Sequence, residues 1–202
     1  MQRDVPVTVA GRTDAGVHAL GQVVSFQGDP PPLRALNSLL PADVKVVGTE
    51  LMPDGFDARR DAVSRSYVYR VHTRRAGSSP FLVNRALWWP HAIDDAKLSA
   101  CAEAVVGRHD FTAFTPSQTE HVFFHRTVLG AAWRRDGDSL EFSIEADAFM
   151  RHMNRVLVGT MLEVAGGRRA LDDFVSLLDG APRSRAGATA PPHGLYFLSA
   201  RY

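Results

Sequence analysis

Along residues 64–73 apolar and polar side chains alternate, with Tyr67, Tyr69 and Val71 at one parity and Val68 and Arg70 at the other. A period of two predicts a strand that turns one face to a core. Residues 126–135 and 139–147 predict two further strands, and Asp136-Gly137-Asp138 between them suits a hairpin turn. Short β-branched runs at 5–9 and 22–26 predict strands separated by a glycine-containing loop, and 44–51, 87–89 and 195–202 read as strands as well. Helical spacing appears at 33–40, stopped by Pro41, and at 95–106, with Asp94 placed as a cap and Gly107 as a stop. The longest helix is predicted over 149–165, ending at Gly166-Gly167. Asp172 is expected to cap a small helix that ends at Gly180, and 181–193 is a Pro/Gly/Ala-rich loop. Strands joined mostly by hairpins, with helices between them, predict an α+β protein built on an antiparallel sheet flanked by helices.

Composition narrows the class. The chain has 202 residues, 45% of them hydrophobic, which suits one large domain or two half-domains sharing a sheet. No apolar run approaches the roughly 20 residues of a membrane span, and a cytoplasmic protein is expected. Cys101, the single cysteine, excludes an internal disulfide framework and a cysteine-rich zinc site. The net charge of +1 creates no global basic field. Of 23 cationic side chains, however, all but Lys45 and Lys97 are arginine, whose planar fork suits phosphate and stacks on bases. A GC-rich genome produces the same excess. Between Asp57 and Arg75 six arginines (59, 60, 65, 70, 74 and 75) stand against two aspartates. Such a stripe could follow a nucleic-acid backbone or form the solvated face of a strand pair.

The densest chemistry lies in Gly11-Arg12-Thr13-Asp14-Ala15-Gly16-Val17-His18, where a cation, a hydroxyl, a carboxylate and an imidazole share one inter-strand loop. A turn stabilised by its own aspartate needs only part of this set. The octapeptide resembles the signature of the tRNA pseudouridine synthase A family. That resemblance implies a pseudouridine synthase-like fold and makes Asp14 the catalytic nucleophile. Arg12, two residues earlier, could fill the space left by an extruded base or hold the RNA backbone.

On the long helix Arg155 follows an apolar stripe with Met150, Met153, Leu157, Met161 and Val164 nearby. An unpaired cation there is costly, so Arg155 either reaches the surface or meets an anion across the core, with Asp14 as the candidate. Phe149-Met150-Arg151-His152-Met153-Asn154-Arg155-Val156-Leu157-Val158-Gly159 is similar to the family's helix motif, and its active-site arginine falls on Arg155. Asn154 departs from the usual valine. Ser64-Arg65-Ser66-Tyr67-Val68-Tyr69 is similar to the segment whose first tyrosine packs on the target base, which assigns Tyr67. Leu40-Pro41-Ala42-Asp43-Val44, Phe56-Asp57-Ala58-Arg59, Gly107-Arg108-His109-Asp110-Phe111 with Phe114, Arg126-Thr127-Val128 and Ala190-Pro191-Pro192-His193-Gly194-Leu195 extend the likeness in order along the chain.

The resemblance implies isomerisation of uridine to pseudouridine in the tRNA anticodon stem-loop, at nucleotides 38–40, by a homodimer without metal or cofactor. The family places a first strand and helix ahead of the aspartate loop. Residues 1–58 are therefore expected to form a truncated N-terminal half-domain, and 59–202 a C-terminal half sharing its sheet. That expectation motivates an alternative: a catalytically silent tRNA-binding or chaperone module. His121 and His125 have helical metal-pair spacing but no third ligand between them. A third reading is a metal-dependent hydrolase using Asp14, His18 and His125. His18 could also meet a phosphate or stabilise its turn.

Overall fold

The alternating runs find their partners in a computed structural model that describes residues 4–119 and 122–202. In chain order the elements are β1 (Thr8–Val9), β2 (His18–Ala19), β3 (Val24–Ser25), α1 (Leu33–Leu39), β4 (Ser64–His72), β5 (Leu87–Trp88), α2 (Asp95–Ala104), β6 (Gly107–Asp110), β7 (His125–Asp136), β8 (Ser139–Ala146), α3 (Met153–Ala165), α4 (Leu171–Ser176) and β9 (Leu195–Arg201). Seven strands form one sheet in the order β2-β9-β4-β8-β7-β6, and β5 takes over beside the end of β4 where β9 stops. Most pairs are antiparallel; β2–β9 and β4–β5 are parallel. β1 and β3 pair only with each other. No helix among the described residues is long and apolar enough to cross a membrane.

Register explains the core. Tyr67 lies opposite Ile144 and Phe197, Tyr69 opposite Phe142 and Leu195, and Val71 opposite Leu140. Phe142 in turn faces Trp133 across the hairpin. One parity of four strands thus forms a continuous buried surface. Helix α3 packs on this side, and Trp133 Nε1 of β7 lies 3.4 Å from Met161 Sδ of the helix. Nearly all of α3 is buried; Arg155, Gly159 and Glu163, spaced four apart, form the one stripe that is less so. Each of the fully buried Met153, Leu157 and Met161 is worth roughly 1.5–3 kcal/mol of transfer free energy.

The structure corrects four expectations. Residues 44–51 run as coil, with Val47 and Leu51 largely exposed. The side chain of Asn37 brackets Val46 through both backbone groups and so replaces a strand partner. Helix α3 begins at Met153 rather than 149, because His152 adopts a left-handed backbone (φ 63°). Ala170, not Asp172, precedes α4; Asp172 sits in the first turn, where its charge still favours the helix N-terminus. Helix α2 ends at Ala104 with Val105 as its cap, short of the expected 106, and Gly107 (φ 107°) instead opens β6, an edge strand that its charged residues conceal from a pattern reading.

Candidate active site

The loop from β1 to β2 is held from both sides. Gln22 Nε2 donates to the Gly11 carbonyl (2.7 Å), and Arg65 Nε donates to that of Ala10 (3.1 Å). Gly11 is closely packed: a Cβ there would lie 3.0 Å from Phe197 Cε2 and 3.2 Å from the Tyr67 hydroxyl, so either side chain would have to give way. Gly16, with φ 83°, turns the chain so that Val17 donates to the Asp14 carbonyl at 3.0 Å. The carboxylate of Asp14 is left half-buried at the edge of the core.

Arg155 does not reach for solvent. Its side chain is 13% exposed, and its Nη1 donates to Asp14 Oδ2 at 3.0 Å, a contact 141 residues apart in sequence. Its Nε donates to the Ala190 carbonyl (2.7 Å), while the Ala190 amide donates back to the Arg155 carbonyl (3.0 Å). The loop before β9 therefore fixes the guanidinium in place, and the guanidinium fixes the carboxylate.

Tyr67 closes the same corner from β4. Its ring meets Phe149 and Phe197 edge to face, with centroids 4.9 and 5.1 Å away. Burial pushes its hydroxyl pKa up to about 12; Arg65 opposes this and Asp14 adds to it. Tyr67 is 7% exposed, so stacking a base on its ring requires this corner to open. Arg12 is exposed on the solvent side of the loop.

His152 was not singled out by the sequence, although it lies three residues before Arg155 and hence near the same face of a helix. Its Nε2 is 3.2 Å from Asp14 Oδ2. Burial lowers its pKa; Asp14 pulls it back up, and Arg155, Arg151 and Arg183 push it further down. The corner thus combines a carboxylate, a guanidinium, an imidazole and a phenol on a half-open apolar floor. It can deliver an anionic oxygen to a carbon and stabilise it as it leaves.

Other candidates go elsewhere. His18 is taken up by the fold: its Nε2 lies 2.8 Å from the Asn84 carbonyl, and its ring stacks on Tyr196 at 4.6 Å. His125 is exposed at the start of β7, and His121 lies outside the described residues. Asp14, His18 and His125 form no metal-holding group, and no such group of three occurs among the described residues. The arginine stripe is also partly spoken for. Arg65 donates to the carbonyls of Ala10, Ala62, Asp147 and Arg59. Arg60 pairs with Asp61; Arg70 pairs with Glu141 and lies over Tyr196. Arg59, Arg74 and Arg75 remain exposed.

Comparison with known proteins bears on the whole chain. A family model described as tRNA pseudouridine synthase matches residues 101–202. The tRNA pseudouridine synthase A of Bacillus pumilus (strain SAFR-032) is 38% identical over 205 residues, covering 98% of this chain and 82% of the relative. The enzyme of that name from Bacillus subtilis (strain 168) is 36% identical, with 98% and 82% covered. The one from Francisella tularensis subsp. novicida (strain U112) is 35% identical, with 99% and 79% covered.

Proposed function

Because the chain belongs to the tRNA pseudouridine synthase A family, we propose that it isomerises uridine to pseudouridine in tRNA, in the anticodon stem-loop at nucleotides 38–40, with Asp14 as nucleophile. The observation that carries this reading is the ion pair of Asp14 with Arg155 beside Tyr67, at the edge of an apolar core.

The reaction breaks the bond from N1 of the base to C1′ of the ribose, turns the base, and joins C5 to C1′. A proton leaves C5 and one is gained at N1, so the product is an isomer and nothing is oxidised or reduced. The base must first leave its stack, at a cost of a few kcal/mol. Asp14 bonds to C1′ as the N1 electron pair departs, and is expelled when C5 closes on the same carbon. Arg155, through its 3.0 Å contact with Oδ2, keeps the carboxylate oriented through both steps. Tyr67 supplies the aromatic surface for the turned base, and Arg12 the cation nearest the solvent side. The sequence-distant parts of this site meet within one chain, which favours turnover over silent tRNA binding.

The same reading takes residues 1–58 and 59–202 as two half-domains, the first joining the main sheet through β2. It also carries a homodimer and a cytoplasmic location; sedimentation at several protein concentrations checks the former. The decisive test is Asp14→Asn, which keeps shape and removes charge. Pseudouridine formation, read by mass spectrometry of the tRNA, should fall to background with tRNA affinity little changed. Retention of about a tenth of the rate would rule out covalent catalysis by Asp14.

A further inference from the structure

Asp14, Tyr67 and Arg155 reach their corner from three stretches of chain, and Arg65 ties the three together. It stands on β4 two residues before Tyr67. Its Nε donates to the carbonyl of Ala10 (3.1 Å), just past β1, where the Asp14 loop begins. Its Nη1 donates to the carbonyl of Asp147 (3.0 Å), at the head of the stretch that carries Phe149 and leads into α3 and Arg155. These two contacts span 55 and 82 residues in sequence. The same Nη1 donates to the Ala62 carbonyl (3.1 Å) and Nη2 to that of Arg59, so the guanidinium is itself anchored to the chain entering β4.

Neither far contact is made to loose chain. The Ala10 amide donates to the Val23 carbonyl (2.9 Å), and Gln22 clamps Gly11 next to it. The Asp147 amide donates to the Thr127 carbonyl, and its carboxylate accepts from the Thr127 amide, both at 3.1 Å. One rigid planar fork therefore sets the spacing between the Asp14 loop and the approach to α3. The cation is also near enough to Tyr67 to oppose the upward shift that burial gives its hydroxyl.

Resting on the isomerase reading above, we propose that Arg65 is a positioning residue: its guanidinium spaces the Asp14 loop from the stretch entering α3, so that the carboxylate meets Arg155 and the target ribose beside Tyr67. Arg65 takes no part in bond making. Carbonyls take up four of its five N–H groups, which leaves no fork for a phosphate. Lysine would keep the charge, but its three donors sit on one atom and cannot reach carbonyls held in different directions.

The test is Arg65→Lys in the full chain, assayed on tRNA below its unfolding temperature. Its kcat should fall on the order of tenfold to a hundredfold, the scale of a roughly 1 Å misplacement, with KM for tRNA unchanged. Leu98→Ala, buried in α2 near Trp133 and Leu140, controls for lost stability and should keep wild-type kcat. The coupling between Asp14 and Arg155 gives a readout independent of turnover. In thermal unfolding of Asp14→Asn, Arg155→Met and the double variant, the non-additive part should shrink when Arg65→Lys is the background. Wild-type kcat in Arg65→Lys overturns the proposal, and so does a raised KM with kcat unchanged, which would put Arg65 on the RNA. A coupling undiminished by the lysine, or absent from the wild type, overturns it too. An equal loss of kcat in Leu98→Ala would mean general loosening and has the same consequence. Should Arg65→Lys fold poorly, Arg65→Gln carries the same measurements; if neither folds, Arg65 serves folding alone and the proposal falls. A wild type that makes no pseudouridine, with the coupling shrinking as expected, would instead sink the functional reading and leave the positioning role standing.

Discussion

At the scale of the residue, the pair of Asp14 and Arg155 shows how far an energetic argument from sequence can reach. A cation on an apolar helix stripe requires an anion or an exit, and the structure supplies the anion from the other end of the chain. Removing one member of a fully buried pair costs about 3–5 kcal/mol, but Asp14 is about one-third exposed, so about 1–3 kcal/mol is expected here. Arg155→Met should therefore lower the melting temperature and abolish turnover. Adding Asp14→Asn should recover much of the stability and none of the activity; strict additivity in thermal unfolding would mean that the pair contributes no coupling. Other roles were less visible. The alternation along β4 tells that Tyr67 shares a face with Tyr69 and Val71, but not that all three are covered. Arg65 looked like part of an RNA-binding stripe, whereas it spends its guanidinium on four carbonyls, because only a cation with several donors can tie that many loops together. His152 stayed hidden because its position depends on one left-handed residue, which no periodicity reports.

At the scale of the element, what was legible had a strong local cause. The β7–β8 hairpin follows from alternation and from Gly137 at φ 55°, and α2 from Asp94, whose carboxylate accepts from the amides of Ala96 and Lys97. Residues 44–51 carry strand-forming side chains but no partner, and propensity without pairing leaves coil. Helix α3 and the loop before β9 act together. That loop covers the Arg155–Gly159–Glu163 stripe: Ala190 accepts from Arg155, Ala188 lies over Gly159, and the Ala188 amide donates to Glu163 (3.4 Å), which also pairs with Arg169 of the α3–α4 connection. A Cβ on Gly159 would fall well inside contact distance of the Ala188 carbonyl oxygen, a backbone atom that can yield only if the loop moves. Gly159→Ala is thus expected to destabilise by about 1–3 kcal/mol despite the better helix propensity of alanine. It should lower kcat more than it raises KM, because the displaced loop carries the Arg155 acceptor. A variant more stable than wild type in thermal melts would show that the loop relaxes freely.

At the scale of the whole molecule, charge decides where a polyanion can lie. The net charge of +1 cannot draw RNA from a distance, so binding must depend on local clusters. Of the six arginines between Asp57 and Arg75, the structure engages Arg60, Arg65 and Arg70 in ion pairs and carbonyl contacts. Arg59, Arg74 and Arg75 stay exposed, the last two just past the end of β4. Each phosphate contact releases counterions and contributes about 0.7–0.9 to the slope of log affinity against log salt. If Arg74 and Arg75 each meet a phosphate, replacing both by serine should flatten that slope by about 1–2 in filter-binding or anisotropy titrations with tRNA. The same double variant should keep its melting temperature, because neither side chain is built into the core. Replacing Arg65 by serine should do the reverse: the fold weakens as four carbonyls lose their donor, while the salt slope of whatever protein remains folded is unchanged. An unaltered slope in the Arg74/Arg75 variant would place the RNA on another face, and a flattened slope in the Arg65 variant would mean that this arginine leaves its carbonyls to bind phosphate.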